Sequence, residues 1–413
     1  HASPLATLGG VDSGGQNVYV AELAKHLAQL GFSVDVYTRW ESLTEPRVIA
    51  WLPGVRIIHV KAGPLKSIAK EELLEYMPDF RNDMLDFIIK EGITYSMIHA
   101  NFFMSAYVAS EIKKILKIPY VVTFHALGHV RRIHQGDNDK FPIQRIKIEE
   151  EAIKSADKII AECPQDRDDL MQYYDANPSK ISIIPCGFNP EEFYPVSKSL
   201  CRSLLNIKAG EKILLQLGRM VPRKGVDNVI RALGRLKRNQ ALKCRLIVVG
   251  GDSDCCDPLK HPEILRLKSI AAEEGVEDTV IFAGPKERSE LKYYYSAADL
   301  FITTPWYEPF GITPLEAMAC GTPVIGANVG GIKYSVEDGK TGFLVPPDDP
   351  TALAEKVEEV LADNLLLSTL KSNAVNRVNA MFTWEKVALQ MKQLYVKTAK
   401  SLVSTRQKDV RAA

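Results

Sequence analysis

The sequence predicts an α/β protein with two doubly wound parallel-sheet domains. Short apolar stretches of strand length alternate with helical stretches, which is typical of parallel βαβ units. The alternation occurs twice, once before and once after a segment at 185–195 that is rich in proline and glycine. A chain of 413 residues also exceeds what one hydrophobic core usually organises, so we expect two domains of about 200 residues each.

The first half opens with a glycine-rich loop at 9–17, and apolar residues then recur with helical period up to Leu30. Further helices are predicted at 70–91, 104–116, 142–155 and 165–174. Strands are predicted at 32–38, 56–60, 96–100, 119–124, 158–161 and 181–185. No apolar strand precedes the glycine-rich loop, so we expect that a first strand of this domain is missing from the sequence.

The second half repeats the pattern with strands at 213–217, 245–249, 279–282, 300–305 and 323–326. Helices are predicted at 225–237, 262–274 and 289–297, followed by three more at 351–361, 365–381 and 384–403. We therefore expect an N-terminal domain at 1–190 and a C-terminal domain at 191–384. The last helix, at about 385–403, is expected to pack back on the N-terminal domain.

Charge and composition exclude several classes of protein. The chain has 52 basic and 51 acidic residues and a net charge of +1, which argues against a general nucleic-acid or polyanion binder. Seven scattered cysteines suit reduced thiols in a cytoplasmic protein. No apolar run is long enough to span a membrane, and the start does not resemble a signal peptide. The Asp252-x-Asp254 pattern and the adjacent Cys255 and Cys256 are interpreted as a loop without a metal.

Two glutamates flank a turn after the predicted strand at 300–305. Thr313 is predicted as the N-cap of the next helix, with Pro314 as its first residue and Glu316 closing a capping box. The free N–H groups of that helix start favour a phosphate, and Glu308 and Glu316 are then placed to bind ligand hydroxyls. The alternative is that Glu316 only caps the helix and Glu308 is a solvated loop acid.

Basic residues follow the first strand of the second half. Arg219, Arg223 and Lys224 would repel one another in a plain surface turn, whereas a diphosphate would match their charge. The glycine-rich loop containing Gly14 and Gly15 is a weaker signal, because it lacks the residues of a P-loop. It is either a phosphate-binding turn or a tight turn without a ligand.

Polar residues also follow strands of the first half. His99 and His125 come directly at strand ends, where a histidine can bind a sugar hydroxyl, assist proton transfer or simply be satisfied locally. The segment 129–140, with Arg131 and Arg132, and the helix start with Arg145 form the densest basic cluster. A phosphorylated substrate and a solvated basic loop both explain it.

Four motifs, taken in order, resemble those of the family four retaining glycosyltransferases of the GT-B fold, and the likeness extends to about residue 345. The motifs are Gly14-Gly15-Gln16, Gly218-Arg219 with Arg223-Lys224-Gly225, Glu308-x7-Glu316 and Gly321-Thr322-Pro323. Within that family the chain looks most like the bacterial sucrose-phosphate synthases. The enzymes that transfer N-acetylglucosamine to inositol phosphate are also similar, although Phe102 departs from their tyrosine.

The resemblance implies two Rossmann-like domains that face each other across a cleft. It implies transfer of glucose from UDP-glucose to fructose 6-phosphate, with the donor on the C-terminal domain and the acceptor on the N-terminal domain. Transfer to inositol phosphate, or to another sugar, phosphosugar or lipid, is the alternative, as is a binding module that has lost catalysis. No metal or other cofactor is implied, and neither the base of the nucleotide nor the oligomeric state is fixed.

The resemblance also implies roles for individual residues. His125, Arg219, Lys224 and Glu308 are expected in catalysis. Donor contacts are expected from Gly14, Gly15, Gln16, Arg219, Lys224, Glu308, Phe310, Gly311, Ile312 and Glu316. Binding of an acceptor phosphate is expected from Lys70, Arg131, Arg132 and Arg145.

Overall fold

The computed structural model describes residues 14–239, 243–251 and 261–412, with side chains up to residue 400. The chain divides into two compact units. The first contains Gln16–Pro185 and the segment from Trp384 onward, and the second contains Cys186–Thr383. The division therefore falls just before the position expected from the sequence, and the last helix belongs to the first unit. The Asp252-x-Asp254 pattern and the Cys255–Cys256 pair lie outside the described residues.

Helices of the first unit are α1 (Gly15–Gln29), α2 (Met77–Lys90), α3 (Phe103–Leu116), α4 (Gly128–Gln135), α5 (Gln144–Ser155), α6 (Pro164–Tyr174) and α15 (Trp384–Ala412). Strands of this unit are β1 (Val34–Arg39), β2 (Val48–Leu52), β3 (Val55–Val60), β4 (Ile98–Asn101), β5 (Tyr120–Thr123), β6 (Lys158–Ala161) and β7 (Ile181–Ile183). Three short 3₁₀ helices lie at Lys70–Tyr76, Gly136–Asn138 and Pro178–Lys180.

Three sequence predictions for this unit are corrected. The expected helix at 70–91 is a 3₁₀ turn followed by α2, because Pro78 fits only the first turn of an α-helix. The strand β2 was not predicted, and it pairs antiparallel with β3. The basic segment after His125 is also not a loop, since most of it forms α4.

The strands of the first unit form two sheets, in the orders β1-β3-β2 and β4-β5-β6-β7. All neighbouring strands of the second sheet are parallel, so the ends of β4, β5 and β6 follow one another along the same sheet edge. The side chains that cover this sheet form one core with α3 and α5, in which Phe103, Ile112 and Tyr120 are fully buried.

A cavity of about 520 Å³ separates the two sheets and is lined by residues of both β1 and β4. Its walls are mainly apolar and include Val20, Leu27, Val36 and Ile98. Within the described residues, neither β1 nor β4 pairs with a strand on the side that faces this cavity. The missing first strand expected from the sequence stays a prediction.

Strands of the second unit are β8 (Lys212–Leu217), β9 (Cys244–Val249), β10 (Val280–Gly284), β11 (Leu300–Thr303), β12 (Val324–Ala327) and β13 (Gly342–Val345). Helices are α7 (Lys198–Leu204), α8 (Val226–Arg238), α9 (Pro262–Glu273), α10 (Arg288–Ala297), α11 (Thr313–Ala319), α12 (Ile332–Ser335), α13 (Pro350–Ala362) and α14 (Asn364–Met381). Short 3₁₀ helices lie at Pro222–Lys224 and Glu277–Thr279.

The second unit has one parallel sheet in the order β10-β9-β8-β11-β12-β13. This is the strand order of a doubly wound dinucleotide-binding fold, with its reversal between β8 and β11. Because ligands of such sheets bind outside the carboxyl ends of the strands at the reversal, the loops after β8 and β11 mark the expected site. The two units with parallel sheets confirm the α/β class.

Among the described residues, no helix is long and apolar enough to cross a membrane. The five cysteines in the described ranges are all buried and free of disulfides, namely Cys163, Cys186, Cys201, Cys244 and Cys320.

Candidate active site

The basic motif and the acidic motif of the second unit meet where the strand order of its sheet reverses. Arg219 and Lys224 follow β8, and Glu308 follows β11, which is the neighbour of β8. Lys224 Nζ donates a hydrogen bond to Glu308 Oε2, and Arg223 Nη1 lies 3.7 Å from the same oxygen. Residues that are 84 positions apart in the sequence therefore form one charged cluster.

This cluster perturbs the acidity of its members in opposite senses. Burial lowers the pKa of Lys224, Glu308 raises it, and the net value is about 8. For Glu308, burial raises the pKa, but Lys224, Arg223 and Arg219 outweigh that effect and the pKa falls to about 2. The site thus holds a permanent carboxylate among three cations, and its net positive charge suits the phosphates of a nucleotide.

Two glycines let the loops approach closely enough to form the cluster. Gly225 has a φ of +65°, and a Cβ there would lie 2.0 Å from the carbonyl oxygen of Thr304. Gly330 has a φ of +45°, and a Cβ there would lie 1.8 Å from the carbonyl oxygen of Glu308. A side chain at Gly225 would push apart the strand ends that carry Lys224 and Glu308, and one at Gly330 would push the loop after β12 away from Glu308.

The capping box predicted for α11 is wrong. The N-cap residue is Ile312, its side chain makes no capping hydrogen bond, and Thr313 is already the first helical residue. Glu316 instead turns away from the helix start: its Oε1 accepts from Arg288 Nη1 at 2.9 Å, and its Oε2 accepts from Tyr295 Oη at 3.0 Å. The tertiary partners outcompete the local cap because the Glu316 side chain is only 3% exposed and needs charge-assisted bonds there.

The turn between the two glutamates is well fixed. Phe310 is buried, and Gly311 has a φ of +88°, a conformation that favours glycine. The amide of Gly331 donates to the carbonyl of Glu308 at 3.2 Å, which ties the loop after β12 to this turn. The helix α11 has only seven residues, so its dipole adds little to anion binding beyond the cations of the cluster.

In the first unit, His125 lies at the end of β5 between polar groups from both neighbouring strands. Its Nδ1 is 2.9 Å from Glu162 Oε1, and its Nε2 is 2.9 Å from Asn101 Oδ1. The ring of Tyr19 from α1 packs edge-on against the imidazole, with centroids 4.8 Å apart. His125 also has a φ of +58°, which is uncommon for a residue other than glycine. Such conformations cluster at functional sites.

His99 lies within β4 rather than after its end, is half-buried and has both ring nitrogens engaged. Its Nδ1 contacts Tyr395 Oη at 2.6 Å, and its Nε2 contacts Thr123 Oγ1 at 2.8 Å. Burial, with a smaller effect of the nearby His125, lowers the pKa of His99 to about 3. A neutral imidazole with both nitrogens occupied is a locally satisfied residue, which was one of its two sequence interpretations.

The basic residues predicted to bind an acceptor phosphate have different surroundings. Arg145 is 1% exposed, its Nε donates to Glu149 Oε1 at 2.7 Å, and its Nη2 donates to the Ala126 carbonyl. Three aromatic rings surround its guanidinium at 4.8–5.0 Å, those of Phe102, Phe103 and Phe141. Its buried Nη1 makes no hydrogen bond with any residue that the structure describes.

The other candidates are more accessible. Arg131 on α4 donates to Asp139 Oδ1 at 2.9 Å, and Arg132 beside it is exposed. Lys70 begins the 3₁₀ helix before α2 and is half-buried. Their predicted role in binding an acceptor phosphate stays a prediction.

The glycine-rich loop is described only at its end. Helix α1 begins at Gly15, directly after Gly14, and Gln16 Nε2 donates to the Asn101 carbonyl at 3.4 Å. The predicted donor contacts of Gly14, Gly15 and Gln16 stay predictions.

Models of known protein families match both units of the chain. The Glycosyltransferase Family 4 model matches residues 13–192, and the model of Glycosyl transferases group 1 matches residues 201–377. A D-inositol 3-phosphate glycosyltransferase of Corynebacterium glutamicum is 34% identical, with 96% of this chain and 94% of that protein covered. The protein of the same name from Corynebacterium diphtheriae is 33% identical over 96% of this chain and 92% of its own length.

A solved structure extends the similarity to three dimensions. The sucrose-phosphate synthase of Thermosynechococcus elongatus has a TM-score of 0.88 and 36% identity, with 97% of each chain covered. The chain belongs to the family 4 glycosyltransferases of the GT-B fold. It is therefore an enzyme of sugar transfer, as its motifs predicted.

Several polar residues of this family 4 glycosyltransferase were missed by the sequence analysis. Glu162 follows β6 as His125 follows β5, so a carboxylate directly after a buried strand was the available signal. Arg288 and Tyr295 lie on α10, and nothing in their local sequence indicates that they contact Glu316. The described part of the glycosyltransferase contains no group of three His, Cys, Asp or Glu residues placed to hold a metal ion.

Proposed function

We propose that this glycosyltransferase transfers glucose from UDP-glucose to fructose 6-phosphate, with retention of configuration, to give sucrose 6-phosphate. The observation that carries the proposal is the similarity to a sucrose-phosphate synthase at 36% identity over 97% of both chains. The cluster of Arg219, Arg223, Lys224 and Glu308 supports the choice of a nucleotide-diphosphate donor, because it offers three cations at a sheet reversal.

In the proposed reaction, the bond between the anomeric carbon of glucose and the β-phosphate oxygen breaks. A bond from the same carbon to the acceptor hydroxyl oxygen forms, and the hydroxyl proton passes to the departing phosphate. Departure of UDP builds negative charge, which Arg219 and Lys224 stabilise because they are already fixed in place. Glu308 and Glu316 bind hydroxyls of the glucose and the ribose, and His125 binds the transferred sugar.

For the acceptor, the proposal relies on basic residues of the first unit. Arg145 has an unused Nη1 proton, and a phosphate oxygen would satisfy this buried donor. Arg131, Arg132 and Lys70 supply further positive charge at more exposed positions. Fructose 6-phosphate carries the phosphate that such residues recognise.

A second candidate is transfer of N-acetylglucosamine to an inositol phosphate. It is favoured by the names of the curated relatives, which are 33–34% identical over 96% of this chain. Against it stands Phe102, since the enzymes of that specificity have a tyrosine at this position in the family resemblance. The Phe102 ring faces the Arg145 guanidinium at 4.9 Å and offers no hydroxyl to an acceptor.

An acceptor panel tests the two candidates directly. The enzyme is incubated with UDP-glucose or UDP-N-acetylglucosamine and, in turn, fructose 6-phosphate, fructose, inositol 3-phosphate and inositol, and released UDP is measured. We expect turnover with UDP-glucose and fructose 6-phosphate. Turnover with fructose but not its phosphate would refute the phosphosugar acceptor, and turnover only with inositol 3-phosphate would establish the second candidate.

Binding of the donor provides the control for this panel. UDP-glucose that binds in calorimetry without turnover on any acceptor would contradict both candidates and indicate a binding module. The variant Lys224→Ala should lose donor binding, because it removes one of the three cations and leaves Glu308 without its hydrogen-bond donor.

A further inference from the structure

The first unit contains a buried carboxylate that has no role in the reaction proposed above. Glu162 directly follows β6 and is only 3% exposed, and its Oε1 lies 2.9 Å from Nδ1 of His125. A carboxylate in such a place is costly unless it is paired and hydrogen-bonded. Its position at the carboxyl end of a strand beside β5 brings it to the histidine that is expected to bind the sugar.

The opposite side of the imidazole determines where one ring proton lies. Asn101 Oδ1 is 2.9 Å from His125 Nε2, while Asn101 Nδ2 donates to the His99 carbonyl at 3.4 Å. This second bond orients the amide so that its oxygen faces His125. An amide oxygen only accepts hydrogen bonds, so Nε2 of His125 carries a hydrogen.

The other ring nitrogen, Nδ1, faces a pair of neighbouring carboxyls. Asp166 Oδ2 accepts from the backbone amide of Glu162 at 2.9 Å, so a second carboxyl lies beside the first. Burial and then the charge of Glu162 raise the pKa of Asp166 to about 8, which keeps Asp166 protonated at neutral pH. Of the two carboxyls, Glu162 is the one within hydrogen-bond distance of His125, and Nδ1 of His125 donates to it.

The remaining neighbours of His125 do not compete for this proton. His99 from β4 is neutral, because burial lowers its pKa to about 3. The ring of Tyr19 from α1 contacts the imidazole edge-on rather than through a nitrogen. Glu162 is thus the anion in contact with His125 among the described residues.

We propose that Glu162 is the positioning residue of His125: it accepts the Nδ1 proton, fixes the plane of the ring and keeps Nε2–H as a donor for the transferred sugar. This inference rests on the proposed role of His125 in the reaction. Since Nε2–H now donates to Asn101, a sugar hydroxyl oxygen takes over this hydrogen bond when substrate binds. The ring needs no rotation to make the exchange.

The test compares wild type with Glu162→Gln, which preserves the size of the side chain and removes its charge. Nitrogen-15 NMR of the histidine rings is recorded at neutral pH, and the His125 signal is assigned by its loss in His125→Ala. We expect the nitrogen-15 shifts of the His125 ring to differ between wild type and Glu162→Gln, because a neutral amide replaces the carboxylate acceptor at Nδ1. We also expect kcat to fall about tenfold or more while KM for the donor changes less than about twofold.

A matched control uses the neighbouring histidine. Tyr395→Phe removes the equivalent contact to Nδ1 of His99, and it should leave the His125 spectrum and kcat unchanged. Glu162→Asp keeps the carboxylate, so it should retain the wild-type His125 signals with an intermediate kcat, and it also serves if Glu162→Gln does not fold. A Glu162→Gln protein whose His125 nitrogens match those of wild type would overturn the proposal. The spectra need no substrate, so they test Glu162 even if the acceptor panel shows that the proposed reaction is wrong.

Discussion

The pKa of Lys224 leads to a specific pH dependence of donor use. Burial, opposed by Glu308, places this pKa at about 8, and only the protonated amine attracts the donor diphosphate. The protonated fraction falls about tenfold between about pH 7 and pH 9 for a group with that pKa. We therefore expect kcat/KM for UDP-glucose to fall by about the same factor as the pH rises through about 8.

The assay is the initial rate of UDP release at saturating acceptor over this pH range. The ratio kcat/KM reports the free enzyme, whereas kcat reports the complex, in which the bound diphosphate stabilises the protonated amine. The fall should accordingly be smaller in kcat than in kcat/KM.

Lys224→Arg is the matched variant, because a guanidinium keeps its charge throughout this range. Its kcat/KM should be lower than that of wild type at neutral pH but nearly flat up to about pH 9. A wild-type profile that is flat through about pH 9, or the same alkaline fall in Lys224→Arg, would refute the assignment to Lys224.

Three further results are expected. The pKa of Glu308, about 2, lies below its unfolded value, so the carboxylate stabilises the protein above about pH 4.5 and this effect is lost as the pH falls. In urea titrations, wild type should therefore lose about 3 kcal/mol more unfolding free energy than Glu308→Gln between about pH 5 and pH 2. Tyr295→Phe removes the hydroxyl that donates to Glu316, and it should weaken UDP binding in calorimetry about fivefold and cost about 1 kcal/mol of stability; unchanged UDP affinity would separate Glu316 from the ribose. Arg132→Ala should raise KM for the phosphorylated acceptor at least about threefold with little effect on the donor, whereas Lys114→Ala, on the last turn of α3, should change neither; equal effects on both substrates would contradict a phosphate contact.

Much of the fold follows from local sequence. Strand β6 has the predicted bounds, and most other predicted strands and helices differ from the structure by at most two residues at each end. Apolar strand runs and helical periodicity are local signals, so the sequence suffices to detect them. The prediction misses β2, which pairs antiparallel, and also β13 and the short helices α7 and α12, and it treats α4 only as a basic segment.

The contacts within the candidate site, by contrast, do not follow from local sequence. The sequence indicated Lys224 as a phosphate ligand and Glu308 as a ligand of hydroxyls, but not their contact, which depends on β8 lying beside β11. The capping box failed for the same reason, since Arg288 and Tyr295 bind Glu316 from another helix. The residues next to the two glutamates in the sequence do not indicate either set of contacts.

For Arg145, the sequence suggested a more accessible residue than the structure shows. Its position at a predicted helix start in a basic segment suggested an exposed phosphate ligand, yet the structure buries it against Glu149 and three aromatic rings. Only the remaining Nη1 proton keeps its predicted role open.

By itself, the sequence determined the α/β class, the repeated βαβ pattern and the motifs of a family 4 glycosyltransferase. Each of these depends on residues that lie close together in the sequence. Tertiary structure alone decided which strand ends meet, and thereby the charge of the Lys224–Glu308 cluster and the partners of His125. The physical reason is that pKa values and proton positions depend on burial and on charges within a few ångströms, and those neighbours come from distant parts of the chain.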